Sequence, residues 1–120
     1  AQAVACAYHD SLLLSEDAAY RISEGFGGGM GHYGHTCGAC SAMVMVAGSQ
    51  ISKGIEDMSS KQQTYPIVKE MVEQFVEANG YLNCFDILRN GSQDMEDNKR
   101  VCCIHCIHSA CDILDHMLKK

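Results

Sequence analysis

The residue types best suited to chemistry are concentrated in two short stretches. The first is His32-Tyr33-Gly34-His35-Thr36-Cys37-Gly38-Ala39-Cys40. Thiolate and imidazole are the donors that zinc and iron–sulfur clusters take. The Cys37-x-x-Cys40 spacing lets two sulfurs face one ion. The surrounding pattern predicts a helix over about 37–49 with Thr36 as its N-cap, which puts Cys37 in the first turn. Free N–H groups and the helix dipole favour a thiolate there, so Cys37 is a candidate nucleophile, redox thiol or ligand. The plainer alternative, for Cys37 and more so for Cys40, is a small buried side chain where two helices pack closely.

The second stretch is Cys102-Cys103-Ile104-His105-Cys106-Ile107-His108, with Cys111 beyond it. Cys103-x-x-Cys106 is another CxxC pair, and the two pairs together make a four-sulfur set. This pair falls inside a predicted helix, where i and i+3 side chains share a face without converging as they do in a zinc-knuckle turn. Covalent haem attachment needs His directly after the second Cys, and Ile107 stands there, so haem is disfavoured. His105, His108 and His116 read most simply as solvated surface residues.

Between a short predicted helix and Cys37 runs the glycine-rich segment GFGGGMGHYGH, residues 25–35. Gly29-x-Gly31-x-x-Gly34 matches the dinucleotide-binding spacing, but that motif needs a strand before it, and a helix precedes it here. The glycines instead permit positive φ and a close backbone approach. Gly27, Gly28, Gly29 and Gly31 are therefore candidates to wrap a cofactor or a neighbouring helix, with backbone N–H groups able to donate to thiolates or cluster sulfur. The CGAC sequence invites comparison with thioredoxin-type pairs, which follow a strand that this chain lacks. Met30, Met43, Met45 and Met71 read as core filler.

These residues must be positioned by helices, because the apolar periodicity is helical throughout and no alternating strand pattern occurs. Residues 1–14 are rich in Ala and Leu and read as the end of a helix that began earlier. Ser15, followed by Glu16 and Asp17, starts a second helix running to about Glu24. The helix over 37–49 is apolar or small on nearly every side and should lie at the centre of the core. After a turn over 59–63, a fourth helix runs to about Ala78 and carries Ile67, Val68, Met71, Val72, Phe75 and Val76 on one face. Pro66 fits its first turn or else kinks it, and Gly80 is a natural C-terminal cap. Asn83 can cap a short helix over 84–89. A polar loop over 90–98 precedes a last helix over about 99–118. That helix carries the stripes Ile104, Ile107, Cys111, Leu114, Leu118 and Cys103, Cys106, Ala110, Ile113, Met117, with His105, His108, Asp112 and Asp115 on the wet face. The predicted fold is all-α: one domain, residues 1–120, forming a compact bundle of five to six helices with a glycine-rich loop.

Composition narrows the function classes. The 120 residues are 47% hydrophobic and 20% charged, ordinary values for a globular domain. Lys plus Arg number 9 against 15 Asp plus Glu, a net charge of −6 that disfavours nucleic-acid binding. Apolar runs such as 42–47 fall far short of the ~20 residues that a membrane span needs. No charged segment followed by an apolar stretch opens the chain, so no secretory signal is visible. The 8 cysteines are an even count that four disulfides would also explain. A chain with its own core, and Cys102 adjacent to Cys103 on one helix, argue against a full disulfide framework and toward a metal or redox role.

Taken in order, GFGGGMG, then CGA, then a long helix, then Asn83-Cys84, then a cysteine-bearing C-terminal helix resemble the C_GCAxxG_C_C family of redox-active proteins. The likeness spans nearly the whole chain. Ala1-Gln2-Ala3-Val4 looks like the segment just after the family's first cysteine, which would fall immediately before Ala1. Gly25 to Gly31 looks like its glycine loop and Cys37-Gly38-Ala39 like its CGA. Cys84 and Cys103 look like its later cysteine sites. Ala42 stands where the motif has glycine, and Cys6, Cys40, Cys102, Cys106 and Cys111 lie outside the shared pattern. The resemblance implies an all-α, redox-active and cluster-binding protein.

The expectation is a small cytoplasmic redox or electron-transfer protein, an oxidoreductase if it is an enzyme. Cys37, Cys84 and Cys103 would converge beside the glycine loop on an iron–sulfur cluster or a metal ion. The fourth ligand would be the family cysteine expected before Ala1, or a neighbour such as Cys6, Cys40 or a loop His, with Cys40 and His35 the candidates for the metal. The alternatives are a metal-free thiol–disulfide protein using the same cysteines, and a helical module with structural zinc or simply buried thiols. A redox partner is expected, self-association is left open, and neither nucleic acid nor a membrane span is expected.

Overall fold

The computed structural model describes the backbone of residues 1–91 and 96–118, and the side chains of 1–90 and 103–118. Among the described residues six helices and no strand are found. They are α1 (Gln2–Ala7), α2 (Glu16–Ser23), α3 (Gly38–Ile51), α4 (Lys61–Asn79), α5 (Cys84–Gly91) and α6 (Glu96–Leu118). Single 3-10 turns at Glu24–Phe26 and Met58–Ser60 lead into the glycine segment and into α4. The all-α bundle is therefore the architecture observed.

α3 is the hub. It packs against α1, α4 and α6, while α2 covers α1 and α5 covers the first half of α6. Its composition requires this position. Ala39, Cys40, Ala42, Met43, Val46 and Ala47 are all buried and lie on more than one side of the helix. Such a helix is stable only when surrounded. α4 supplies Met71 and Phe75 to this core, and α6 supplies Cys106, Ala110 and Leu114 at successive turns. Ile104, expected on the apolar stripe of α6, is 46% exposed, as the seam runs one residue-row away through Cys106. His105, His108, Asp112 and Asp115 lie on the exposed face, as the sequence predicts.

Local signals account for several boundaries. The Ser15 hydroxyl accepts from the Ala18 N–H at 3.1 Å, so it caps α2. Gly80 ends α4 at φ 85, with its N–H donating to the Val76 carbonyl.

Four boundaries depart from the sequence-based expectation. α1 ends at Ala7, and residues 8–14 form turns rather than continuing the helix. The physical cause is tertiary: the Tyr8 hydroxyl donates to the Cys111 carbonyl at 3.0 Å and to the Asp115 carboxylate, tying the chain to α6. Pro66 lies in the second turn of α4, because the helix starts at Lys61 directly from the preceding 3-10 turn. α3 starts one residue later than expected: Cys37, at φ −54 and ψ 131, is its N-cap and Gly38 its first residue. Thr36 is held extended by an antiparallel bridge to Asn83, so it is not free to cap. The last helix begins at Glu96 rather than Lys99. Of the polar loop expected over 90–98, residues 92–95 lie outside the described residues, as does the Cys102 side chain.

Candidate functional site

The glycine segment does not simply loop; it folds back on itself. The N–H groups of Gly31, His32, Gly34 and His35 donate to the carbonyls of Gly25, Gly27, Gly28 and Gly29 at 2.8–3.1 Å. Its outer carbonyls then serve α5. The Cys84 N–H donates to His35 O at 2.6 Å and the Phe85 N–H to Gly34 O at 3.2 Å. The first N–H groups of a helix have no partner within it, so the glycine segment satisfies the N-terminus of α5 and fixes Cys84 against itself. Gly29 permits that approach. It sits at φ +73, and a Cβ there would lie 2.5 Å from His35 O and 2.8 Å from the Cys84 Cβ. No side chain fits. The bridge between Thr36 and Asn83, with the Cys37 N–H donating to Leu82 O at 2.9 Å, fixes the start of α3 beside the start of α5.

These two helix starts, the first half of α6 and the glycine segment enclose a cavity of about 240 Å³. Four of the described cysteines line it: Cys37 from the cap of α3, Cys84 from the first turn of α5, and Cys103 and Cys106 from α6. Gly27, Gly28 and His32 line it with them, as does Phe85, which is 51% exposed. A second depression of about 270 Å³, beside the connection between α3 and α4, is lined by neither thiol nor imidazole.

The thiols of this cavity are not equivalent. The Cys106 thiol donates a hydrogen bond to the Cys37 sulfur, and this is the main reason that the Cys37 pKa is lowered to about 6. Burial opposes it. The backbone N–H groups of Ala39 and Cys40 face the same sulfur and lower it further, although no full side-chain capping bond is made. Burial pushes the Cys84 thiol up, and the neighbouring charges of Cys37 and Cys103 add to that. Cys84 thus senses both of the other cysteines.

The candidate residues divide accordingly. Cys37, Cys84 and Cys103 are brought to one cavity, and Gly27 and Gly28 line it with them. Gly29 stands behind Cys84, and the Gly31 N–H is taken by Gly25 O, so these two shape the segment rather than face the cavity. Cys40 lies one turn deeper, 1% exposed in the core, where burial and then the Cys37 charge push its thiol up to about 12. The His35 ring stacks on Tyr33, with centroids 4.9 Å apart, outside the cavity. Neither Cys40 nor His35 joins the three cysteines in this structure. His32 and Cys106 line the cavity with those three. Cys106 carried a signal in the sequence, its i+3 relation to Cys103, but its pairing with Cys37 is a tertiary contact that no spacing reveals.

Among the described residues, no group of three or more His, Cys, Asp or Glu side chains converges tightly enough to hold a single metal ion.

The family profile described as "Putative redox-active protein (C_GCAxxG_C_C)" matches residues 1–117. The chain belongs to the C_GCAxxG_C_C family. No curated protein and no solved structure matches it. Membership in the C_GCAxxG_C_C family makes it one of a set of proteins described as redox-active, and its cavity gathers the cysteines through which the resemblance was first drawn. Among the described residues, no helix is long and apolar enough to cross a membrane.

Proposed function

We propose that the cavity is a one-electron redox centre in which the sulfurs of Cys37, Cys84, Cys103 and Cys106 hold an iron–sulfur cluster. One observation carries this reading: four thiols from three separate helices face one cavity of about 240 Å³. The donor set is soft, and among the described residues no carboxylate lines the cavity, which suits iron–sulfur chemistry rather than a hard cation.

When bound, such a cluster accepts and releases single electrons. The chain's own residues prepare the place. Cys37 is largely deprotonated at neutral pH, the state in which a thiol binds metal. Cys84 and Cys103 stand close enough to Cys37 to feel its charge or share its cavity. The Gly27–Gly28 wall brings backbone, with no intervening side chain, to the cavity surface. Phe85 and Ile107 place apolar groups along its sides and limit water. The proposed setting is the cytoplasm, where thiols stay reduced, and the proposed partner is a protein that donates or accepts the electron.

The test is iron and acid-labile sulfide content, with a visible spectrum, on anaerobically purified protein. Iron and sulfide together, with a broad absorption band bleached by dithionite, are expected. Metal-free protein that takes up neither iron nor sulfide on anaerobic reconstitution would overturn the reading, and zinc alone would leave a structural site.

A further inference from the structure

Cys106 lies outside the shared family pattern, yet it makes the closest sulfur contact in the cavity that the structure describes. Its thiol donates a hydrogen bond to the Cys37 sulfur, and both line the cavity. Sulfurs in hydrogen-bond contact are already near one another, and a disulfide brings them to ~2.05 Å. The helices that carry them, α3 and α6, pack directly against each other, so closure needs no movement of a distant element. Access to the two differs. Both line the cavity, but Cys37 is half-buried whereas Cys106 is 2% exposed. Cys37 is therefore the more accessible of the two to an incoming reagent. Cys103, exposed one turn earlier on α6, is the competing second thiol.

We propose that, in the cluster-free chain, Cys37 and Cys106 perform thiol–disulfide exchange with small disulfides, Cys37 as the attacking thiol and Cys106 as the resolving one. The Cys37 thiolate attacks one sulfur of a disulfide RSSR. The RS–SR bond breaks, a Cys37–SR bond forms, and RS⁻ leaves. Cys106 gives up its proton and its sulfur attacks Cys37. The Cys37–SR bond breaks, the Cys37–Cys106 bond forms, and the second RS group leaves. In sum the chain loses two electrons and one proton from its thiol–thiolate pair, and RSSR becomes RSH and RS⁻. The cavity, about 240 Å³, opens Cys37 to part of a small disulfide. This activity shares its cavity with the reading above but rests on the thiol pair alone.

The experiment uses the full chain, reduced, freed of iron and kept anaerobic, mixed with glutathione disulfide as the probe. Remaining thiols are alkylated, and the products are mapped by intact-mass and peptide mass spectrometry. Wild-type chain is expected to lose two hydrogens and to yield a Cys37–Cys106 linked peptide, with no lasting glutathione adduct. C106S should accumulate the adduct on Cys37, C37S should give neither product, and C103S should still form the Cys37–Cys106 bond. The proposal is overturned if wild type links Cys37 to Cys103 or Cys84, if it retains the adduct as fully as C106S does, or if it gives no reaction. Far-UV circular dichroism checks each fold, and Cys106→Ala replaces C106S if the serine variant is unfolded. Iron and sulfide content is read on a separate sample, so failure of the exchange and failure of the cluster reading are told apart.

Discussion

Cys37 and Cys40 stand one turn apart at the start of α3, and the two regions they occupy give the same side chain opposite chemistry. Cys37 caps the helix at the edge of the cavity, where the Cys106 thiol and two backbone N–H groups face its sulfur and bring its pKa to about 6. Cys40 lies in the packed core, where nothing compensates for burial and its pKa rises to about 12. A CxxC pair on a helix is thus not one functional unit here. The first cysteine belongs to the cavity, and the second belongs to the hydrophobic interior, where a thiol behaves as a small apolar group. What separates them is the arrangement of donors around each sulfur.

The largest expected effect comes from disturbing the cavity side. Gly29→Ala places a Cβ against a backbone oxygen and the Cys84 side chain in a left-handed conformation. We expect a loss of about 2–5 kcal/mol, from the left-handed penalty and overpacking together, measured by urea denaturation. A loss below 1 kcal/mol would show that the segment yields and does not fix Cys84.

The second prediction concerns reactivity. With iodoacetamide at pH 7, Cys37 is nearly all thiolate and Cys40 almost none. Even after allowing for the weaker nucleophilicity of a low-pKa thiolate, Cys37 should react at least ~100-fold faster. Its rate should rise with pH and level off above half-maximum near pH 6, since raising pH removes the proton. Comparable rates for the two, or a Cys37 midpoint near pH 9, would erase the contrast.

Much of this arrangement is legible in the sequence, for identifiable reasons. α3 is recognisable as the central helix because Ala39 through Ala47 offers hardly a polar face. Ser15 and Gly80 announce their boundaries through local chemistry. What escaped depends on contacts between distant segments. Tyr8 stops α1 because it binds α6, and Asn83 holds Thr36 extended, which makes Cys37 rather than Thr36 the cap. The choice of His32 over His35 for the cavity wall follows from the backbone path of the glycine segment, in which His32 itself adopts φ 64. Two histidines three residues apart give no advance sign of that difference. Cys106 reads equally well as core filler or as half of a CxxC, and only the packing of α6 on α3 joins it to Cys37.

On the core side the expected effects are smaller. Cys40→Ser introduces a hydroxyl into an apolar site and should cost about 1–3 kcal/mol of stability, while leaving the pH profile of Cys37 alkylation unchanged. A shift of that profile would mean that the two regions are coupled through the side chain of Cys40. At the far end of α3, Gly48 has open space around its Cβ position and lies inside the helix. Gly48→Ala should therefore stabilise by about 0.5–1 kcal/mol and leave the cavity untouched, again read by urea denaturation.

The most direct test of the central claim, that Cys37, Cys84, Cys103 and Cys106 form one redox centre and Cys40 does not, is iron and acid-labile sulfide bound per chain after anaerobic reconstitution of the five single Cys→Ser variants. The account predicts that C37S, C84S, C103S and C106S each lose most of the bound iron and sulfide, while folded C40S keeps the wild-type amount. Retention by C106S together with loss in a folded C40S would contradict it.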